Sequence, residues 1–92
     1  MNIQRSAMDL TVHPRIHKRH PNITETNVKA AFKNCFVFKQ RDDDKFIGIG
    51  TDDKGRLLEI VFVQCDDVIV VFHAQTPPTK KTLTELKTKK GQ

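Results

Sequence analysis

Apolar residues along this chain recur with helical spacing before Phe36 and alternate with polar ones after it. The strongest runs, Leu57 to Val63 and Val68 to Phe72, are long enough for central strands and too short for typical helices. Upstream, Phe36 and Phe38 alternate with Val37 and Lys39, Arg41 follows, and Phe46, Ile47 and Ile49 begin another strand after the triple aspartate at 42–44. Asp52 to Gly55 reads as a hairpin loop whose glycine takes the left-handed conformation, and Asp66 with Asp67 as the next tight turn. Strands joined by such short turns must be antiparallel. The pattern therefore predicts a four-stranded antiparallel meander ending near Gln75.

In the third strand Leu58, Ile60 and Phe62 point one way and Leu57, Glu59, Val61 and Val63 the other; in the fourth, Ile69, Val71 and His73 oppose Val68, Val70 and Phe72. Both faces are apolar at their centres, so helices on one side and strong curvature or a second covering element on the other are expected. Glu59 and His73 are isolated polar residues near the polar ends of these faces, a common place for site residues. Gly48 and Gly50 leave one face of the second strand without side chains, for a close approach or for a bulge or Phe ring.

Thr24 is a good N-cap, Ile23 and Val28 form a hydrophobic staple, and Val28, Ala31, Phe32 and Cys35 make one apolar stripe that packs on a sheet, with Lys29 and Lys33 facing out and Asn34 as the stop. Before it, His13, His17 and His20 share a face if 13–20 is helical, with Pro14 in the first turn and Pro21 as the stop. Thr76 or Thr79 caps a last helix with Pro77 and Pro78 in its first turn and Leu83 and Leu86 as its apolar positions. The expectation is a single α+β domain over 1–92: two N-terminal helices, a curved antiparallel meander and a C-terminal helix, with 1–12 as a flexible arm or an extra strand through Leu10 to Val12, and 88–92 as a frayed tail.

Charge adds direction to this outline. The net charge is +5, with basic residues crowded into 13–20 and 80–90 and aspartates into the turns, a balance that favours polyanions or an acidic protein. The histidine triplet has metal-like spacing, but Arg15, Lys18 and Arg19 surround it and no carboxylate is near, so a cationic face is the better reading and neither metal nor cofactor is expected. Cys35 and Cys65 lack CxxC spacing and are expected to be buried free thiols. No apolar stretch approaches the roughly 20 residues that span a bilayer, and MNIQRSAMD lacks the apolar core of a signal peptide. A cytoplasmic protein without a membrane partner is expected.

The element order, the stretch GIGTDDKGRLLEIVF and the later HAQTPPTKK together resemble the BrnT-like toxins of bacterial type II toxin–antitoxin systems, within the wider RelE/ParE-like group, over roughly residues 13–86. The resemblance implies a compact RelE/BrnT-like fold whose curved sheet holds messenger RNA for metal-independent cleavage. It also implies neutralisation by a cognate antitoxin protein and operator DNA binding only as the toxin–antitoxin complex. The family's strand-end polar residue, alanine and arginine fall on His73, Ala74 and Gln75, and its threonine with basic residues on Thr79, Lys80 and Lys81; Gln75 departs from the arginine, and the TPP insertion is extra.

Such cleavage needs a base for the 2′-hydroxyl, cations for the phosphorane and an acid for the leaving oxygen. Histidine suits the base or acid because its unperturbed pKa of about 6.5 keeps both forms available. The expected catalytic set is His73 with Arg41, Arg56 and Lys80, and the expected RNA contacts are His17, Arg19, His20, Thr79 and Lys81. The alternative is a non-catalytic RNA- or protein-binding module of the same fold, motivated by the absence of Tyr and Trp and of a complete catalytic constellation. A third reading, a metallohydrolase built on the histidine triplet, predicts bound metal.

Overall fold

The computed structural model describes residues 9–42 and 44–90. Along the chain come β1 (Asp9–Val12), α1 (Arg15–Arg19), α2 (Glu25–Lys33), β2 (Cys35–Gln40), β3 (Lys45–Thr51), β4 (Leu57–Cys65), β5 (Val68–Gln75) and α3 (Lys80–Lys90). The fold is α+β. Strands β2 to β5 form the expected meander, but the sheet has five strands in the order β1-β5-β4-β3-β2, and β1 joins β5 in parallel. It is a mixed sheet, not a purely antiparallel one. The extra-strand alternative holds for 9–12; residues 1–8 of the expected arm and 91–92 of the expected tail lie outside the described residues, and α3 continues to Lys90.

Helices cover both faces, which is why β4 and β5 are apolar on both. Ile16 of α1, Ile23, and Val28, Ala31 and Phe32 of α2 pack on Leu58, Ile60, Phe62, Ile69, Val71 and Ala74. On the other face Leu86 of α3 packs with Ile47, Ile49 and Val61, flanked by Val37 and Phe72. Helix α2 starts as its sequence dictates: the Thr24 hydroxyl accepts from the Asn27 amide, and the Asn27 side chain accepts from the Thr24 amide.

Gly50 lies directly under α2, where a Cβ would collide with the Ala31 carbonyl; at Gly48 it would come within 2.8 Å of Cys35 Sγ and 3.0 Å of Phe38 Cβ. Close approach is therefore the reason for the glycine at 50. Gly55 adopts the expected left-handed conformation, φ 79°, and Asp66 does so in the β4–β5 turn, φ 55°. Beside that turn Cys65 is exposed, contrary to the expected burial, because it is the last residue of β4 and lies past the helices; Cys35 is buried.

Two helical expectations change. Only Arg15–Arg19 is helical in the basic segment, so the three histidines do not share a helix face. In α3, the prolines precede the helix: Thr79 caps it, its hydroxyl accepting from the Thr82 amide at 3.2 Å, and its carbonyl from the Leu83 amide.

Candidate active site

The alternation of β5 fails at Phe72, and the site is built there. Val61 pairs with His73 and the next residue, Phe62, pairs with Val71, so Phe72 is an extra residue in β5. Alternation from Ile69 and Val71 places His73 on the face under α1 and α2. The bulge moves it to the opposite face, beside Glu59, and gives its inward place to Ala74. There His73 Nε2 lies 2.8 Å from Glu59 Oε2, with the histidine side chain 32% exposed and the glutamate nearly buried.

Glu59 is held from both ends. Its Oε1 accepts from the Thr79 amide at 2.9 Å and the Thr79 hydroxyl at 3.1 Å, and the Thr79 hydroxyl also meets that of Thr82 at 3.1 Å. Burial opposes its ionisation, but the Thr79 amide, the His73 ring and the Thr82 and Thr79 hydroxyls outweigh it and hold the carboxyl below its ordinary value. An ionised carboxylate only accepts, so the His73 nitrogen facing it carries the hydrogen, and Nδ1 is left as the basic nitrogen. A base oriented by a buried carboxylate is the arrangement that proton abstraction requires.

Strand β1 pairs with β5 only through Val71, and the chain then turns into α1. Beyond that point the β5 edge borders a small hollow that Arg15, Arg19, His20 and His73 line. Arg15 and Arg19, one helical turn apart, make no ion pair among the described residues. On the α3 side Lys80 and Lys81 follow Thr79 and line an open surface with Lys39, Thr84 and Glu85. Arg15, Arg19 and His20 thus border the same hollow as His73 at the β5 edge, and two lysines start the helix that holds its carboxylate.

The remaining expected site residues are placed elsewhere. Arg56 is a strut: its Nε donates to Asp52 Oδ2 at 2.8 Å and its guanidinium to Asn27 Oδ1 at 3.0 Å, while Asp52 Oδ1 accepts from the Lys54 and Arg56 amides. Burial opposes ionisation of Asp52, and these amide and guanidinium bonds more than offset it, holding its carboxyl below the ordinary value. Asn27 in turn donates to Asp53, so the β3–β4 hairpin is pinned to the start of α2. Arg41 donates to both oxygens of Glu85, which Lys39 also approaches at 3.5 Å, and ties the end of β2 to α3.

The histidines of the basic segment have separate engagements. His17 Nδ1 is 2.9 Å from the Ile23 carbonyl and His13 Nδ1 accepts from the Arg15 amide, leaving His20 at the hollow. Among the described residues, no group of three or more His, Cys, Asp or Glu is placed to hold a metal ion, and no helix is long and apolar enough to cross a membrane.

Outside the expected set, the site includes Glu59, Thr82 and Arg15. Glu59 carries a signal in the sequence, as the one charged residue in an apolar strand; Arg15 is one turn before Arg19 and Thr82 three residues after the cap. Comparison of the chain with protein-family models, with curated proteins and with solved structures returns no match.

Proposed function

We propose that the protein is a toxin-like endoribonuclease that cleaves messenger RNA without a metal ion and is neutralised by a cognate antitoxin. The observation that carries this reading is the buried Glu59 bonded to His73 beside the unpaired Arg15 and Arg19 and the second histidine, His20. His73 Nδ1 takes the proton of the 2′-hydroxyl, and the 2′-oxygen bonds to phosphorus. Arg15 and Arg19 stabilise the charge on the phosphorane oxygens. The bond from phosphorus to the 5′-oxygen breaks, His20 donates the proton that this oxygen needs, and the products are a 2′,3′-cyclic phosphate and a 5′-hydroxyl. Water resets both histidines. Lys80 and Lys81 hold the flanking phosphates.

In this mechanism Arg15 and Arg19 take the part that the sequence suggested for Arg41 and Arg56, whose guanidiniums are committed to Glu85 and Asp52. The reading draws on the resemblance of the HAQ and TKK segments to BrnT-like toxins, which extends the proposal to operator binding by the toxin–antitoxin pair. Gln75 in place of the family's arginine favours a second reading, a non-catalytic RNA-binding module of RelE-like fold.

The two readings separate when the purified protein is incubated with end-labelled single-stranded RNA and a chelator. The nuclease reading expects fragments ending in a 2′,3′-cyclic phosphate and a loss of rate of roughly 100-fold or more in His73→Ala. RNA retained on a filter without any cleavage would instead establish the binding module.

A further inference from the structure

At the sheet edge opposite β1, strand β2 pairs on its outer side with no strand among the described residues. Phe36, the extra residue of a bulge between Cys35 and Val37, is 63% exposed, and Phe38 and Leu83 are also exposed. Phe36 and Leu83 with Val37, Leu86 and Lys87 line a groove of about 660 Å³ between β2 and α3. A groove this apolar on a small basic domain marks a contact surface.

Charge decides what fits it. Lys87 lines the groove, and Lys39, Lys80 and Lys81 line the surface that shares α3 with it. The nearby carboxylate, Glu85, is already engaged by Lys39 and Arg41, and Lys80, Lys81 and Lys87 make no ion pair among the described residues. A second copy of the chain would bring the same lysines against these, and a bulged edge strand carrying a lysine resists pairing with itself. Nucleic acid satisfies the lysines and a base can stack on the exposed Phe36, but Val37, Ile49, Leu83 and Leu86 make up the larger, aliphatic part of the lining, which apolar side chains fill and bases do not. We infer that the β2–α3 groove is a docking surface for an acidic, amphipathic segment of another protein, with its apolar side chains in the groove and its carboxylates on the surrounding lysines.

The inference goes beyond the ribonuclease reading: the groove lies at the sheet edge away from His73, the two readings share only Lys80 and Lys81, and the variants that test it change neither lysine, so either reading can fail alone. The probe is a short fluorescent peptide alternating glutamate and leucine, compared with one alternating lysine and leucine. The acidic peptide is expected to bind, to lose affinity with added salt, and to shift amide resonances of residues 36–38 and 83–87 but not of His73. Leu83→Ser and the surface change Lys87→Glu each weaken it, the former by roughly tenfold, with unchanged circular dichroism and unchanged RNA cleavage. Equal binding of both peptides, or binding of neither, overturns the inference. So does a dimer in sedimentation that Leu83→Ser dissociates, or an RNA oligonucleotide that shifts the same resonances of residues 36–38 and 83–87.

Discussion

Glu59 is ionised inside the fold because four donors meet a carboxylate that water barely reaches. Its folded pKa lies below the ordinary 4.5, so its contribution to stability is present above that value and is lost as pH falls through the lower folded value. Asp52 has the same sign. The unfolding free energy from urea titrations should therefore drop as the solution is acidified below pH of about 4.5, the drop being shallower in Glu59→Gln. A drop of equal steepness in the variant would show that folding does not lower the Glu59 pKa. For Arg56 the expectation concerns folding. Its side chain neutralises Asp52, whose own side chain is 0% exposed, and Arg56→Ala should cost about 3 kcal/mol in denaturant titrations. Near-wild-type stability with lost RNA cleavage would return Arg56 to the catalytic set.

At the scale of elements, tight contacts and caps do most of the positioning. Gly50→Ala forces apart α2 and β3 at the Ala31 carbonyl and should destabilise by about 1–3 kcal/mol; a Tm equal to wild type would mean that α2 shifts freely. Thr79→Val removes the hydroxyl that caps α3 and donates to Glu59, and leaves the backbone amide that also donates to it. It should lower Tm and also slow cleavage, whereas a change confined to Tm would reduce Thr79 to a helix cap. The elements legible in the sequence were those with local signals. Thr24 with its staple announced α2, and the apolar runs that follow the Asp52–Gly55 loop and the Asp66–Asp67 turn announced β4 and β5. Strand β1 carries only four residues, and its parallel partner lies about sixty positions away, beyond any local pattern. The bulge at Phe72 depends on backbone geometry and side-chain fit, so Glu59 and His73 were visible as odd residues without being visible as a pair.

Across the whole molecule, the net charge of +5 was legible and its distribution into paired and unpaired cations was not. Arg41 reaches Glu85 and Arg56 reaches Asn27 across long stretches of chain, leaving Arg15 and Arg19 beside the hollow. If those two contact RNA phosphates, replacing both with glutamine should weaken single-strand binding and flatten the dependence of log K on log salt by about 1.4. An unchanged slope in filter-binding titrations would place the RNA elsewhere. The bulge in β5 has one further consequence: it divides the strand into two reading phases, with residues before Phe72 counted in one frame and those after it in the other. Straightening the strand with Phe72 kept in the ladder would merge the frames and turn His73 from the partner of Glu59 into a polar group on the face of Ile60 and Val71, so the chemistry of this hairpin depends on its residue count as much as on its residue types.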